Sequence, residues 1–482
     1  MIEFRPIVLV IGFLLTTLSA GMILPAAVDG FAGNPDWQVF AVSAGATLFI
    51  GVAMILTSRT GGTRLNTRQA FLLTTFSWIV LTAFAALPFK FSNLNLSYTD
   101  AFFEAMSGIT TTGSTVLADL DQAPPGILVW RAVLQWLGGI GIIIMAIAVM
   151  PMLRVGGMQL FRVEAFETDG KALPRAAQIS TAISLVYLVL TVIWATGFWF
   201  AGMSGFDAIL HAMTTIATGG FSTYDTSIGH FNSGLIDWIT TAGMLVGALP
   251  FLLYLKAVQG DLRPLMRDAQ VRGFIIIVAS VVLITASWLW LSSGETPVQA
   301  LRYAAFNVIS IITGTGYTTS QFDTWGSFSM PIFLIIMVIG GCAGSTTCGI
   351  KIFRFQVLLA ATRRQLKHIV RPHGVFIPYY NHRPVSDDVI TSVLSFFFLY
   401  GLSLAVLAIA LGLLGLDFVT AMSGATTAIS NVGPGMGPII GPDGNFSTLP
   451  DSAKWLLSGG MLLGRLELFT VMVLFTRSFW RG

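Results

Sequence analysis

The chain contains four short segments rich in serine, threonine and glycine, and their pattern recurs along its length. Each segment carries a pivotal glycine, and the intervals between the four glycines are 106, 97 and 117 residues. Such regular spacing indicates one structural unit used four times. The segments span residues 106–116, 213–224, 309–319 and 422–435, and the glycines are Gly113, Gly219, Gly316 and Gly433.

The chemistry of these segments suits a monovalent cation. Glycine has no side chain and tolerates unusual backbone dihedral angles, so backbone carbonyls are left to line a space. Four such segments around an axis would form rings of carbonyl oxygens that replace the hydration shell of the ion. The alternative is four ordinary Gly-Thr turns in a glycine-rich membrane protein, but four copies favour a filter. The predicted filter residues are Thr111, Thr112, Gly113, Ala217, Thr218, Gly219, Gly314, Thr315, Gly316, Asn431, Val432 and Gly433.

The composition indicates a membrane protein. Of the 482 residues, 54% are hydrophobic and only 10% are charged, and the mean hydropathy is +0.78. Apolar runs of about 20 residues mark transmembrane helices. The two cysteines, Cys342 and Cys348, exclude a disulfide framework and most metal sites, and the five histidines form no ligand cluster.

Hydropathy predicts an all-α membrane protein with ten transmembrane helices. The first apolar run is long enough to span, so we expect a retained helix and not a cleaved signal peptide. Four further segments are too short or too polar to span, and each leads into a glycine motif. The predicted spans are 7–27, 39–57, 70–89, 127–150, 180–202, 235–255, 273–292, 328–350, 389–414 and 455–475, and the short segments are 98–112, 205–218, 297–315 and 416–432.

The short segments have the form of re-entrant pore helices, which enter the membrane and return through an extended filter loop. Irregular backbone is tolerated at membrane depth only where it lines a watery cavity, and the negative ends of the half-helices would favour a cation at the centre. The result is a pseudo-fourfold pore. Its predicted units are two additional N-terminal helices at 1–60 and pore repeats at 61–165, 166–265, 266–380 and 381–482.

The distribution of charge predicts the orientation. All but five of the 26 lysine and arginine residues lie at the termini or in loops on one side of the predicted spans. Basic loops stay in the cytoplasm, so both termini are predicted to be cytoplasmic. The opposite side is rich in aspartate and glutamate, which would raise the cation concentration at a pore mouth. The five basic residues elsewhere are Lys90, Arg131, Arg302, Lys454 and Arg465.

These residues resemble the superfamily of Trk, Ktr and HKT cation transporters, and are most similar to its bacterial TrkH type. The resemblance covers nearly the whole chain. It rests on the four glycine motifs, on G-G-C-A-G-S-T-T-C-G at 340–349 and on G-R-L-E at 464–467. Glycine at all four filter positions resembles the potassium-selective pattern, whereas serine at the first is associated with sodium transport. The fourth motif departs most, with Asn431 and Val432 before Gly433.

The resemblance implies potassium uptake across the bacterial inner membrane by the pore-forming subunit of a Trk system. It also implies a homodimer and control by a separate cytoplasmic nucleotide-binding ring of the TrkA type. We hypothesise that Arg363, Arg364 and Lys367, with the loop 154–175, dock this ring, the alternative being ordinary cytoplasmic anchoring. Potassium is then the substrate, lipid surrounds the chain, and neither an organic cofactor nor a nucleic acid is expected.

A glycine-rich stretch within the eighth predicted span forms a candidate gate. Each glycine weakens a helix by about 1 kcal/mol relative to alanine, which predicts a flexible loop under the filter, as the resemblance also implies. Close helix packing through small residues is the alternative. The predicted gate residues are Gly340, Gly341, Gly344, Ser345, Thr346, Thr347, Gly349 and Arg465.

Arg465 is predicted to lie near the membrane centre, where a charge usually faces a cavity or a partner. The resemblance suggests a fixed positive charge beside the pore, and a structural ion pair to another helix is the alternative. Glu467 lies on a different side of the helix, so it is not the simple partner.

The alternative functions are transport of another cation, transport of an organic solute and enzymatic activity. A sodium or less selective monovalent cation transporter of the same fold stays open, with or without proton coupling. An organic-solute transporter would place its site on broken helices within inverted repeats, and the tandem filter motifs argue against that. The predicted spans contain no cluster of nucleophile, base and metal ligand, so we do not expect an enzyme.

Overall fold

The structure is a computed structural model that describes residues 3–59, 66–148, 172–381 and 383–481. The structure is largely helical. Two short antiparallel strands, β1 (Tyr379–Tyr380) and β2 (Arg383–Pro384), lie between two of the helices. The first ten helices are α1 (Arg5–Ala32), α2 (Trp37–Ser58), α3 (Thr67–Phe91), α4 (Tyr98–Ile109), α5 (Pro125–Ala148), α6 (Ala172–Phe200), α7 (Gly205–Ile216), α8 (Gly234–Gly247), α9 (Phe251–Val258) and α10 (Arg263–Arg267).

The second half of the chain continues the same alternation of long and short helices. Its helices are α11 (Ala269–Ser293), α12 (Pro297–Ile312), α13 (Ser329–Val338), α14 (Ile352–Val370), α15 (Asp387–Leu413), α16 (Phe418–Ser430), α17 (Gly437–Ile440), α18 (Asp451–Arg465), α19 (Phe469–Met472) and α20 (Arg477–Arg481). Short 3₁₀ helices lie at Leu120–Gln122, Ser227–Phe231, Phe322–Thr324 and Val473–Phe475.

Among the described residues, seven helices are long and apolar enough to cross a membrane, and they lie in α1, α2, α3, α5, α6, α11 and α15. Two bent pairs would raise the number to nine, because α8 meets α9 at 96° and α18 meets the following helical segment at 108°. The predicted helical membrane protein is thereby confirmed. The count of ten spans stays a prediction, which would require the short apolar helix α13 to complete a tenth.

Three predicted spans are not single straight helices. The sixth breaks before Pro250, because proline lacks a backbone N–H and disfavours helix at the residue before it. The eighth ends its helix at Val338, where the glycine-rich stretch begins. The tenth breaks after Arg465, and Glu467 and Leu468 have positive φ angles of 61° and 43° there.

Four helices, α4, α7, α12 and α16, repeat one local design. Each begins with a side chain that caps the free amides of its first turn, which is a strong helix-start signal. Each is then largely buried along its length, and together they form the centre of the core. The capping side chains belong to Ser97, Ser204, Thr296 and Asp417, and they accept from the amides of Asp100, Asp207, Gln299 and Thr420.

Packing between repeats closes a ring. Each of these four helices packs against the long helix that precedes it, namely α3, α6, α11 or α15. Each also contacts the helix that follows the loop of the preceding unit, since α5 packs on α7, α8 on α12, α13 on α16, and α18 returns to α4. Helices α1 and α2 lie outside this ring and pack against each other and the first repeat.

Candidate ion pore

The four short helices end identically before their loops. In each, an amide beyond the helix end donates back to the carbonyl five residues earlier, which turns the chain out of the helix. The preceding residue adopts a left-handed conformation. These donors are Thr112, Gly219, Thr315 and Val432, with lengths of 2.8, 2.9, 2.9 and 3.1 Å, and the left-handed residues are Thr111, Thr218, Gly314 and Asn431, with φ of 52°, 50°, 71° and 53°.

This common pattern shifts the predicted alignment of the second repeat by one residue. The residue after each donor is a glycine with positive φ, which suits glycine because it has no Cβ. In the second repeat that residue is Gly220, so Gly219 is structurally equivalent to Thr112 and not to Gly113. The predicted equivalence of Gly219 is therefore wrong by one position. The four equivalent glycines are Gly113, Gly220, Gly316 and Gly433, with φ of 87°, 77°, 81° and 112°.

The loops meet one another in cyclic order. A Cβ atom added at Gly113 would collide with the Gly219 carbonyl oxygen, one at Gly220 with the Thr315 oxygen, and one at Gly316 with the Val432 oxygen. A Cβ at Gly433 would lie 3.0 Å from the Thr112 oxygen, which closes the circle. The structure thus brings the predicted filter residues of all four repeats together, with backbone atoms in contact. Ala217 lies one residue before the left-handed Thr218 and is the C-cap residue of α7.

A cavity lies on one side of this ring and is lined by the four equivalent glycines, but not by Gly219. Asp225 lines the same cavity, and its carboxylate accepts from the Leu120 amide at 3.1 Å. Burial raises the pKa of Asp225 above its usual value, and the neighbouring carboxylates of Asp121 and Asp119 raise it further. Asp225 and its neighbouring carboxylates thus place negative charge beside the cavity, whose lining also includes Arg131.

Asn431 explains part of the departure of the fourth motif. Asparagine tolerates the left-handed conformation that this position requires. Its side-chain nitrogen donates to the Thr112 hydroxyl and to the Met461 carbonyl, both at 2.9 Å. The fourth loop is therefore tied to the first loop by a side chain, so the four repeats are not chemically identical.

A buried ion pair, absent from the predicted site residues, supports the first two loops. Glu104 on α4 and Arg131 on α5 are 0% and 2% exposed, and their charged atoms lie 2.8 Å apart. Glu104 also accepts from the Thr115 hydroxyl and the Val116 amide, both at 3.0 Å. The sequence signal was a single arginine within an apolar span, where a charge usually has a function.

The same helix contacts the second loop directly. Arg131 donates to the Ser222 carbonyl at 2.7 Å, and its guanidinium lies 4.1 Å from the centre of the Phe221 ring. One turn later, the Gln135 side chain donates to the Gly219 carbonyl at 2.6 Å and accepts from the Phe221 amide at 3.0 Å. Sequence reasoning missed Gln135, because a lone glutamine in an apolar helix carries no distinctive signal.

The predicted gate stretch forms a non-helical loop between α13 and α14. Its ends are joined where the Gly340 amide donates to the Ile350 carbonyl at 3.0 Å. Gly344 and Gly349 have positive φ angles, which accounts for two of the glycines. Close packing through small residues also contributes, because a Cβ at Gly341 would lie 2.9 Å from the Ala248 carbonyl.

This loop lies directly beneath the second repeat. The Thr346 hydroxyl is within 3.0 Å of the Thr218 hydroxyl, and it donates to the Gly247 carbonyl at 2.9 Å. The hydroxyls of Ser345 and Thr347 are 2.8 Å apart and bond to each other. The loop is therefore in contact with the base of the candidate filter.

Arg465 is 1% exposed and bonds to the gate loop through backbone and sulfur atoms. Its guanidinium donates to the Thr346 carbonyl at 3.0 Å, to Cys348 Sγ at 2.8 Å and to the Gly138 carbonyl at 2.8 Å. Among the described residues, the hydroxyls of Ser345, Thr346 and Thr347 bond to other partners and not to Arg465. Within the described ranges no carboxylate lies within 4.0 Å of Arg465, which disfavours the alternative of a structural ion pair.

Glu467 has a partner that sequence reasoning did not identify. Its carboxylate forms an ion pair with Arg354, the third residue of α14. The Arg354 guanidinium is fully buried and lies 3.7 Å from the centre of the Phe396 ring. The pair connects the helix after the gate loop to the break after Arg465.

The predicted docking residues lie on the far half of α14. Arg363 and Lys367 are exposed, and Arg364 is half-buried beside Asp387, with which it forms an ion pair of 2.6 Å. These three side chains thus share one region of the helix surface. The remainder of the predicted docking surface, the loop 154–175, lies outside the residues whose side chains the structure describes.

Comparisons with known proteins agree on one family. A model of the TrkH family, described as cation transport protein, matches residues 37–481. The Trk system potassium uptake protein TrkI of Halomonas elongata is 43% identical over 480 residues, covering 99% of this chain and 97% of that protein. TrkH of Escherichia coli is 39% identical over 489 residues, covering 99% and 100%. The crystal structure of the potassium transporter TrkH from Vibrio parahaemolyticus matches 100% of both chains at 37% identity and a TM-score of 0.92.

Proposed function

Because the chain belongs to the TrkH family of cation transport proteins, we propose that it is the membrane subunit of a potassium uptake system. Its substrate is the potassium ion, which crosses through a pore at the centre of the four repeats. The family that the motifs predicted is confirmed by the match over residues 37–481. The names of the relatives, which are potassium uptake proteins, support the choice of ion.

One observation carries the proposal of a selective pore. The carbonyls of Thr112, Gly219, Thr315 and Val432 stand in a closed cycle of contacts, in which each oxygen lies against the glycine of the preceding loop. Rings of backbone carbonyls replace the hydration shell of potassium in selective channels. Threonine in the left-handed region at Thr111 and Thr218 costs about 1–3 kcal/mol each, and such strain is typical of functional sites.

The test replaces Gly113 by serine and compares the uptake of rubidium and sodium into liposomes. A Cβ at this position would collide with the Gly219 carbonyl, and φ is 87° there. We expect a several-fold lower preference for rubidium over sodium from protein that remains monodisperse. Gly202 provides a matched control, because its φ is 105° but a Cβ there would meet nothing within 4 Å. Equal discrimination by Gly113→Ser, Gly202→Ser and the unmodified chain would reject the filter.

Other monovalent cations are the second candidate. A sodium or less selective transporter of the same fold, with or without proton coupling, would use the same carbonyl ring. The four equivalent glycines, without a serine at the first position, favour potassium. Competition of potassium against sodium in the same liposome assay distinguishes the two, and a dependence on the pH gradient would reveal coupling.

The gate proposed here consists of the loop from Gly340 to Gly349 and Arg465. Contact of Thr346 with Thr218 supports a position directly under the filter. The Arg465 guanidinium would repel each cation that leaves the carbonyl rings, because it stays charged at any accessible pH. Its bonds to Thr346 and Cys348 would keep the loop in the closed position.

We further propose ten membrane spans, with α4, α7, α12 and α16 as re-entrant pore helices. The cyclic packing of these helices supports the assignment of the repeats at 61–165, 166–265, 266–380 and 381–482, with residues 1–60 outside the pore. Basic loops then place both termini in the cytoplasm of a bacterial cell, and the chain lies in the inner membrane.

The proposed partners are a second copy of this chain and a cytoplasmic nucleotide-binding ring. The exposed side chains of Arg363 and Lys367, with Arg364 beside them, support α14 as part of a docking surface. This helix begins directly after the gate loop, so a ring bound there would act on the gate through one rigid element. Membrane lipid would surround the apolar surfaces of the long helices.

A further inference from the structure

We propose that Gln135 is a positioning residue that sets ion selectivity from behind the second filter loop. By donating to the Gly219 carbonyl, it would orient that oxygen and weaken its attraction for small cations. The inference rests on the proposed potassium pore and assigns a role to a residue of the first repeat in the filter of the second.

The geometry of the side chain leaves one arrangement of the amide. Gln135 is 0% exposed, and its nitrogen lies 2.6 Å from the Gly219 oxygen while its oxygen lies 3.0 Å from the Phe221 nitrogen. A reversed amide would direct a donor at the Phe221 N–H and an oxygen at the Gly219 carbonyl. Both contacts would be repulsive, so the backbone partners determine the orientation.

The carbonyl that receives this bond belongs to the proposed filter. Gly219 is structurally equivalent to Thr112, Thr315 and Val432, and its oxygen stands against Gly113. Among the hydrogen bonds of the described residues, no side chain donates to the other three carbonyls. The second repeat therefore contributes an oxygen with different chemistry from the rest of its ring.

Gln135 acts together with a neighbour on the same face of α5. Arg131, four residues earlier, donates to the Ser222 carbonyl and pairs with Glu104. Residues four apart lie on one helix face, so this face of the first repeat contacts the second loop from Gly219 to Ser222. Such a contact holds the loop from its outer side and leaves its inner side for the ion.

The physical consequence concerns the strength of the ion site. A carbonyl oxygen has two lone pairs, and a short bond from an N–H group occupies one and draws electron density from the oxygen. The weakened oxygen offers less to sodium, whose dehydration costs more than that of potassium and requires a stronger field. The field strength of the coordinating carbonyls is one proposed origin of potassium selectivity. Gln135 would thus favour potassium without contacting it.

The experiment compares Gln135→Met and Gln135→Leu with Gln356→Met in liposomes that contain the purified full chain. Both Gln135 variants replace the amide with an apolar side chain that occupies much of the same space. Gln356 is the matched control, because its nitrogen donates to the Ala269 carbonyl at 2.7 Å far from the filter. We expect the ratio of potassium to sodium uptake to fall about fivefold in the Gln135 variants, as for one hydrogen bond of ordinary strength, and to stay unchanged in Gln356→Met.

The other outcomes separate the role of Gln135 from the filter assignment and from folding. If Gly113→Ser changes the ratio and both folded Gln135 variants do not, the pore stands and the role of Gln135 is wrong. If neither changes it, the filter assignment itself fails. If both Gln135 variants lose monodisperse protein while Gln356→Met does not, Gln135 is a folding residue and the proposal is overturned.

Discussion

At the residue scale, the candidate filter relies on backbone atoms held in costly conformations. Thr111 and Thr218 are β-branched residues in the left-handed region, which such residues rarely adopt. Their hydroxyls and amides are buried, so the surrounding loops determine the conformation. The left-handed residue turns the chain out of the helix and into the loop that meets the neighbouring repeat.

Breaking the buried ion pair of Glu104 and Arg131 should destabilise the protein near the candidate filter. Removing one partner of a buried pair costs about 3–5 kcal/mol, because the other charge remains buried. We expect Glu104→Ala to lower the unfolding temperature of purified protein well below that of Asp387→Ala. Asp387 is the matched control, since its pair with Arg364 is exposed and such pairs contribute about 0–1 kcal/mol. Equal unfolding temperatures would contradict this role.

Asp225 should make uptake sensitive to external pH. Burial is the main cause that raises its pKa, so the carboxylate takes up a proton at a higher pH than an ordinary aspartate. Lowering the external pH through this raised pKa removes a negative charge from the mouth, and the KM for potassium should rise. Asp225→Asn should show the raised KM already at neutral pH and a flatter pH profile.

Initial rates of rubidium uptake at several external pH values check this prediction. Asp451→Asn is the control, because Asp451 is an exposed acid that does not line the cavity. If the pH profiles of Asp225→Asn and the unmodified chain coincide, Asp225 is not the titrating group.

At the scale of elements, the proposed functional groups lie where helices end. The short helices end in the candidate filter loops, α13 ends in the proposed gate loop, and α18 ends at Arg465. The break after Arg465 allows a bend of 108° and brings Glu467 to Arg354. A continuous helix would carry Glu467 away from Arg354 on α14.

Arg465 provides the test at this scale. If its charge is a barrier below the filter, Arg465→Ala should raise potassium flux per folded molecule several-fold. Arg465→Lys keeps the charge but lacks the planar set of donors for three acceptors. We therefore expect Arg465→Lys to retain the barrier but to loosen the loop. Its flux should lie between those of the unmodified chain and Arg465→Ala. Liposome flux, normalised to monodisperse protein, makes the comparison.

Lower or unchanged flux from well-folded Arg465→Ala would exclude the barrier. Reduced expression and stability of both variants would indicate that the three hydrogen bonds chiefly support folding.

At the scale of the whole molecule, the four repeats follow one another along a linear chain and pack into a closed ring. Closure requires α18, near the end of the chain, to pack on α4 of the first repeat. The contact is reinforced by an ion pair of 2.6 Å between Lys454 and Asp100. The proposed pore would therefore require the complete set of repeats.

The proposed cytoplasmic ring supplies the prediction at this scale. Reversing the charges of Arg363, Arg364 and Lys367 to glutamate should abolish co-purification with a nucleotide-binding ring of the TrkA type, because the surface would repel an acidic partner. Reversal of Arg263 and Arg267, basic residues on the separate helix α10, is the control and should leave the complex intact. Unchanged co-purification of the triple variant would place the docking surface elsewhere.

Much of this organisation follows from the sequence alone, because the signals are local. The long apolar runs, the short segments that lead into glycine motifs and the four motifs themselves each depend on neighbours within a few residues. They predicted the helical membrane class, the positions of the short helices and the candidate filter segments. They also predicted the non-helical stretch at 340–349, since glycines there weaken the helix regardless of what packs against it.

The tertiary structure decided what depends on distant neighbours. The second motif contains two adjacent glycines, Gly219 and Gly220. The hydrogen bond at the helix end and the contact of Gly220 with the third loop determine which of them is equivalent to Gly113. The partners of buried polar groups were likewise undetermined, as for Gln135 with the second loop. Hydropathy measures how apolar a segment is, whereas a hydrogen bond requires two groups within about 3 Å. Folding alone brings together groups that lie far apart in the chain.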